Sequence, residues 1–364
     1  RSVVLFSFLL VAALLMLGVV LFVGKPLSTD ALSIAKRNTI LPGILALSFM
    51  GIALGGFIRK WKVWPLALAL LLILTAFDVS RYAAKWMPFD PRVYVSPSMG
   101  VTDYLQKTVG ENRVFGNFGN EVASFFGIQS LDGYDALYNK RFGEFVSSVS
   151  DGTIGEPQRS VVLVPKGGKY TQKALNLLGV KYLAHRLSDG RNVWAYPYWN
   201  YPGYQSLYKD AYYEVLENTA ALPRAFLVSR YELRTSPQEI LHLLWSTAFS
   251  LGDSVILEER PAIEPENGSG SVIVTSYLPN EVTLTVQSES PKLLFLSDSY
   301  EKGWQATVDD VVTPVYRADY AFRAVSVPGG AHVVRFTYRP ESLTFGALFA
   351  GIAILILGVG SVKY

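Results

Sequence analysis

Two short stretches carry residue types from which chemistry could be built. Leu131-Asp132-Gly133-Tyr134-Asp135 sets two carboxylates around an aromatic ring on an expected turn. Such a cluster can hold sugar hydroxyls or act as an acid/base pair; a turn whose Asp side chains cap nearby amides accounts for the same residues. Asp298-Ser299-Tyr300-Glu301-Lys302-Gly303-Trp304 is a polar loop leading into an extended segment. Its Trp304 is either a ring on which a sugar stacks or the first core residue of a strand. Asp132, Tyr134, Asp135, Asp298 and Trp304 are the candidate substrate-binding residues. No catalytic residue is assigned.

The stronger signatures are missing from the sequence: there is no H-E-x-x-H and no G-x-S-x-G. Gly167-Gly168-Lys169 follows an expected strand, but the first glycine of a phosphate loop would fall at Leu163. His185, His242 and His332 are far apart and read as packing or surface histidines. Asn267-Gly268-Ser269 matches a glycosylation sequon, a triplet common by chance. The absence of cysteine excludes disulfides and thiolate metal sites. No cofactor is identified; a divalent metal stays possible, without a ligand set.

The elements that must position these residues follow from the uneven spread of apolar character. The 364 residues are half hydrophobic and only 17% charged, against about a quarter charged in an average soluble protein. The excess sits in the first 80 residues and the last 20 or so. A net charge of +3 is too small and too dispersed to argue for a nucleic-acid partner. At about 1.5 Å per residue, about 20 apolar residues cross a hydrocarbon core of roughly 30 Å. Val3–Val23, Thr39–Ile58, Val63–Phe77 with its flanks and Leu343–Gly360 read as four transmembrane spans. Beginning at Arg1 with an apolar run too long for a signal peptide, the sequence reads as a piece of a longer chain, with more spans expected before it.

The tight basic loop Arg59-Lys60-Trp61-Lys62 is expected in the cytoplasm. That places residues 80–342 outside a bacterial cytoplasmic membrane, in a multi-pass protein. No charge lies inside a span, so an ion pathway is not indicated. Arg81 and Lys85, just past the third span, are lipid-phosphate candidates or simple interfacial cations.

Beyond the third span, strand and helix patterns alternate: helix over Val101–Val109, extended Arg113–Phe115 and Val161–Val164, helix over Thr171–Leu178, extended Val180–Ala184. Ser236-Pro237-Gln238-Glu239 reads as a capping box opening a helix to Trp245. The aromatic-rich stretch Trp194–Tyr213 reads as a long surface loop. This is the pattern of an extracytoplasmic α/β (or α+β) domain. Pro261–Gly270 has a linker's composition, and after it the period becomes two, as in Val282, Leu284 and Val286 or Val334, Phe336 and Tyr338. Six or seven such strands predict a C-terminal antiparallel β-sandwich. The expected organisation is membrane α-helical with four spans, divided as 1–79 transmembrane helices, 80–262 the α/β domain, 263–341 the membrane-proximal sandwich, and 342–364 the last span and a short cytoplasmic tail.

Several motifs together resemble the YfhO family of bacterial membrane proteins: Leu131–Tyr138 with Lys140-Arg141-Phe142, Leu177–Leu183, Tyr213–Leu227, Asp298–Trp304, Phe322–Val325, Val327–Gly330 and Tyr338-Arg339-Pro340. The likeness runs from about Phe89 to the end, and departs from the family at Asp309-Asp310, where Asp-Gly is usual. The resemblance implies a multi-span glycosyltransferase using a lipid-linked sugar donor, with a cell-envelope polymer such as teichoic acid as acceptor, membrane lipids as partners and a variable metal requirement. It also implies a catalytic acid in the first outer loop of the whole protein, which Asp30 does not match in context. The alternative is a non-catalytic membrane-anchored domain that binds a glycan or partner protein for envelope assembly.

Overall fold

The computed structural model describes residues 18, 33–34, 40, 42–52, 64–86, 91–94, 98–116, 120–131, 133–135, 137–156, 161–187 and 204–362. The chain divides into two compact units, Arg1–Pro97 and Ser98–Tyr364.

In the first unit two apolar helices are described, α1 (Pro42–Ile52) and α2 (Trp64–Trp86). Pro65 falls in the first turn of α2, where its missing N–H leaves no bond unmade. The stretch Pro65–Ala84 is the one helical segment, among the described residues, long and apolar enough to cross a membrane. The expectation of four spans is thereby corrected. The Val3–Val23 segment lies almost wholly outside the described residues, and the apolar helices Pro42–Ile52 and Glu341–Leu357 fall short in described length.

The second unit is layered. Strands β1 (Arg113–Gly116), β4 (Val180–Arg186), β5 (Tyr204–Lys209) and β6 (Tyr213–Asn218) form a mixed sheet in the order β1-β4-β6-β5. Only β1 and β4 are parallel in it. Helices α3 (Gly100–Thr108), α4 (Asn120–Phe125), α5 (Lys140–Ser148) and α6 (Thr171–Leu177) alternate with these strands and with the short pair β2 (Gly133–Tyr134) and β3 (Val161–Val162). The strand β5 and the start of β6 correct the expected loop over Trp194–Tyr213. The aromatic residues there are strand formers, and the chain reverses at Asp210-Ala211-Tyr212.

Two further sheets face each other. One is β7 (Ala225–Val228), β12 (Lys292–Ser299), β16 (Phe322–Val327), β15 (Tyr316–Ala318), β9 (Ser254–Leu257) and β8 (Arg230–Leu233), in that order. The other is β10 (Gly270–Leu278), β11 (Glu281–Ser288), β17 (Gly330–Tyr338), β13 (Trp304–Val308) and β14 (Val311–Thr313). Between them Leu294, Leu296, Val325 and Val327 meet Val282, Leu284, Val286 and Phe336. The six-stranded sheet is apolar on both faces. Leu293 and Phe295 of β12, and Phe322 and Ala324 of β16, point the other way, into a second core with Phe145, Leu177, Leu241 and Trp245. Successive strand residues face opposite sides, so β12 and β16 serve two cores and are buried along nearly their whole length.

That middle layer takes β7, β8 and β9 from before residue 262 and β12, β15 and β16 from after it. The segment Pro261–Gly270 is pinned rather than free. Lys292, 2% exposed, gives its three ammonium donors to Ser229 Oγ and the carbonyls of Glu266 and Gly268 at 2.6–2.8 Å. Helix α7 (Pro237–Trp245) starts with proline as expected, but the Ser236 side chain makes no cap. Its hydroxyl bonds the Gln238 side chain instead. After β17 the chain passes Pro340 into helix α8 (Glu341–Val362).

Candidate functional site

Asp298 stands next to the end of strand β12, just past its apolar stretch Leu293–Leu296, and its side chain is 8% exposed. A charge so placed must be paired. Its Oδ1 accepts hydrogen bonds from Arg113 Nη2 at 2.8 Å, and from Arg224 Nη2 and Nε at 2.9 and 3.1 Å. Oδ2 accepts from the Tyr277 hydroxyl at 2.9 Å and from Arg323 Nη2 at 3.0 Å. Arg113 begins β1, Arg224 precedes β7, Tyr277 lies on β10 and Arg323 on β16. One carboxylate thus joins the mixed sheet to both faces of the sandwich.

Each arginine is also anchored elsewhere. Arg113 donates to the carbonyls of Leu178 and Ser297. Arg224 donates to the Glu111 carbonyl, the Gln129 amide oxygen and the Tyr277 hydroxyl, with its guanidinium 4.0 Å over the Tyr277 ring. Arg323 lies 3.7 Å over the Trp304 ring and 5.4 Å from that of Phe336, while its Nε and Nη1 are buried without a hydrogen-bond partner. Burial alone would raise the Asp298 pKa, but Arg113, Arg224 and Arg323 outweigh it and hold the carboxyl at about 2. Burial, with the neighbouring charge of Arg224, brings Arg113 down to about 10. Burial and the Asp298 charge push the Tyr277 phenol up to about 12, keeping it a donor. A carboxylate held this firmly ionised and closed off does not exchange protons with a substrate. It ties β12 to four other segments of the unit.

The other candidates lie apart from that network. Asp135 is exposed and its Oδ1 accepts from the Leu137 amide at 2.8 Å, a turn-capping bond. Asp132 and the side chain of Tyr134 lie outside the described residues; the Tyr134 backbone pairs with Val161. Arg81 is exposed near the end of α2, and the Lys85 side chain also lies outside the described residues. Trp304 is half-buried, with Arg323 on its face and Tyr338 beside it at 5.2 Å.

The stretches around Asp135 and Asp298 do meet at one edge. Asn139, which caps α5 by accepting from the Phe142 amide, donates from Nδ2 to the Tyr300 carbonyl at 2.9 Å and to the Glu301 carboxylate at 2.5 Å. Beside it, Arg141 and Arg317 flank Glu258 at 3.3 and 3.2 Å, and the Tyr320 hydroxyl donates to Glu144 at 2.7 Å. Sequence reasoning missed Arg113, Arg224, Tyr277 and Arg323. For Arg323 the signal was available: a guanidinium in the apolar run Phe322–Val327 demands an acid. Among the described residues no group of three His, Asp or Glu converges to hold a metal ion.

A sheet pair locked by a buried arginine–aspartate network and followed by an apolar helix defines a β-rich domain. Residues 267–350 match the family described as bacterial membrane protein YfhO. The match covers β10 to β17 and the start of α8, so the likeness to the YfhO-like bacterial membrane proteins rests on the sandwich and its exit into that helix. No curated protein and no solved structure matched the chain.

Proposed function

We propose that this chain is the outward-facing part of an envelope glycosyltransferase that moves sugar from a lipid-linked donor to a cell-envelope polymer, with residues 80–342 outside the cytoplasmic membrane. The observation that carries the reading is the join between sandwich and helix. Strand β17 ends at Tyr338, and α8 follows within three residues. Leu343, Phe345, Leu348, Phe349, Ile352 and Ile356 are all exposed on it, as is nearly every other described side chain of α8. A helix apolar all round belongs in lipid or in a protein interior, which supports a sandwich lying next to the lipid surface. Arg81, near the end of α2, would meet a lipid phosphate where that helix leaves the bilayer.

These 364 residues contain no cysteine, so a single one introduced here, compared with the unsubstituted protein, makes the placement testable. Val312, 81% exposed on β14, is replaced by cysteine in the full-length protein. Labelling by a membrane-impermeant maleimide in intact cells is expected; protection until lysis would sink the placement. Transfer is tested in membranes containing the full-length protein, supplied with a radiolabelled polyprenyl-phosphate hexose and extracted polymer. Incorporation into polymer is expected, and should drop at least tenfold when Asp132 and Asp135 are both alanine. Undiminished transfer with intact folding removes that pair from the site.

The second reading is a non-catalytic binding module that presents a glycan or partner protein to another enzyme. Polymer retention without incorporation is its signature.

A further inference from the structure

A cleft of about 600 Å³ opens where β4 ends and β6 begins, lined by Met99, Gly100, Arg186, Asp210, Tyr212 and Tyr213. None of these residues takes part in the Asp298 network. Arg186 and Tyr213 are direct cross-strand partners, which sets both side chains on the same side of the sheet.

The cleft is preorganised around Asp210. Its Oδ1 accepts from the amides of Tyr212 and Tyr213, each at 2.7 Å, and its Oδ2 from the Tyr208 hydroxyl at 2.6 Å. Tyr208 in turn stacks on Tyr104 at 4.9 Å between ring centres. A side chain at Gly100 would collide with the Tyr208 hydroxyl, so glycine there keeps the floor open. Burial raises the Asp210 pKa, but the bonds from Tyr208, Tyr212 and Tyr213 bring it below the ordinary value, so the carboxylate stays an acceptor at neutral pH. Oδ1 is fully used by the two amides, and Oδ2 keeps one lone pair beside the bond from Tyr208. Next to it Tyr212 is 69% exposed, which leaves its ring open to a ligand.

The chemistry of the lining selects a ligand class. Among the described residues of the lining one guanidinium and one carboxylate balance, which offers a phosphate no excess of positive charge. The apolar surfaces are interrupted by these polar groups, which suits an acyl chain poorly. A pyranose fits both halves: its C–H face lies on an aromatic ring, while adjacent hydroxyls donate to the carboxylate and accept from the planar guanidinium fork. The volume is within the roughly 300–1,000 Å³ of small-ligand sites, which admits a short saccharide and not a polymer coil.

We propose that this cleft is a saccharide subsite that binds a short, uncharged stretch of glycan, with a ring stacked on Tyr212 and hydroxyls on Asp210 and Arg186. The source of the glycan rests on the envelope-polymer reading; the subsite serves a transferase's acceptor and a binding module equally.

The test uses the purified full chain in detergent, with maltotriose and chitotriose as probes and saturation-transfer NMR and calorimetry as readouts. At least one trisaccharide is expected to bind, and Tyr212→Ala to weaken it by roughly tenfold, as loss of a ring stack should. Asp210→Asn keeps an acceptor for the two amides and is expected to weaken binding similarly, with unchanged circular dichroism. Lack of binding by the unmodified chain at millimolar probe, affinity indifferent to Tyr212→Ala, or displacement of the sugar by inorganic phosphate would each overturn the subsite. Radiolabel transfer is measured in parallel on the same variants. Saccharide binding without transfer defeats the enzyme reading and leaves the subsite standing; transfer at full rate in Tyr212→Ala, with no saccharide bound, defeats the subsite alone.

Discussion

Asp298 and Asp319 are both shut off from solvent, at 7% and 1% exposure, and their protonation runs in opposite directions. Asp298 sits among three guanidiniums and a phenol and is held at about 2. Asp319, in the turn between β15 and β16, accepts one bond from the Ile256 amide at 2.8 Å. The nearest cation acting on it, Lys173, is spent on the carbonyls of Ser246 and Phe249. Burial therefore wins, and the Asp319 pKa rises to about 7. Burial is common to both; what separates them is whether charged donors reach the oxygens. The first arrangement makes a permanent charged lock, the second a carboxylic acid that is neutral below about pH 7.

The largest effect is expected at the lock. Asp298→Ala strands Arg113, Arg224 and Arg323 together in the interior, and removing one member of such a buried set typically costs about 3–5 kcal/mol. Urea denaturation of the purified chain, followed by tryptophan fluorescence, should show the midpoint fall accordingly. A loss below about 1 kcal/mol would mean that the three arginines hold each segment through their carbonyl contacts, and that the carboxylate is dispensable.

The contrast sharpens with pH. Asp298, depressed from 3.8, contributes stability that is present above that value and lost as pH falls through about 2. Asp319, raised from 3.8, contributes stability that is present below that value and lost as pH climbs through about 7. Asp319→Asn keeps an acceptor for the Ile256 amide and cannot ionise. Relative to the unmodified chain it should gain on the order of 4 kcal/mol at pH 8 and less than about 1 kcal/mol at pH 4, since each tenfold change in a protonation equilibrium is worth about 1.4 kcal/mol. A parallel offset at both pH values would show that Asp319 is ionised throughout.

Much of this unit was legible in the residues, and the part that was not has a physical cause. Period-two alternation in Val282, Leu284 and Val286 reported β11 because one face of that strand is open to water. The same rule was silent on the middle layer: β12 and β16 are apolar on both sides, so the sequence reads as a sandwich half when each strand serves two cores. Asp298 was noticed as a polar residue in a promising loop; its partners Arg113 and Arg224 come from 185 and 74 positions away, and no local pattern reaches so far. The Asp210 cleft was hidden for a related reason, since Arg186 and Tyr213 become neighbours only through strand pairing.

The smallest effect concerns carboxylates that burial does not touch. Asp309 and Asp310 form the two-residue turn between β13 and β14, with φ of +49° and +65°. Both residues are left-handed, the conformation of a type I′ hairpin turn, for which Asn-Gly or Asp-Gly is the usual choice. The side chains differ. Asp309 accepts from the Val333 amide at 2.8 Å and meets His332 Nδ1 at 2.6 Å, while Asp310, 88% exposed, reaches only Arg335 at 3.5 Å. An aspartate in the left-handed region costs roughly 1 kcal/mol, and glycine removes that strain while adding back part of it as unfolded-chain entropy. Asp310→Gly is therefore expected to stabilise by about 0.5 kcal/mol, read as a rise in the urea midpoint, whereas Asp309→Gly should destabilise because it abandons the Val333 amide. Equal effects at the two positions would mean that the backbone alone decides at this turn, and that an exposed carboxylate contributes nothing where a buried one ties β12 to four other segments.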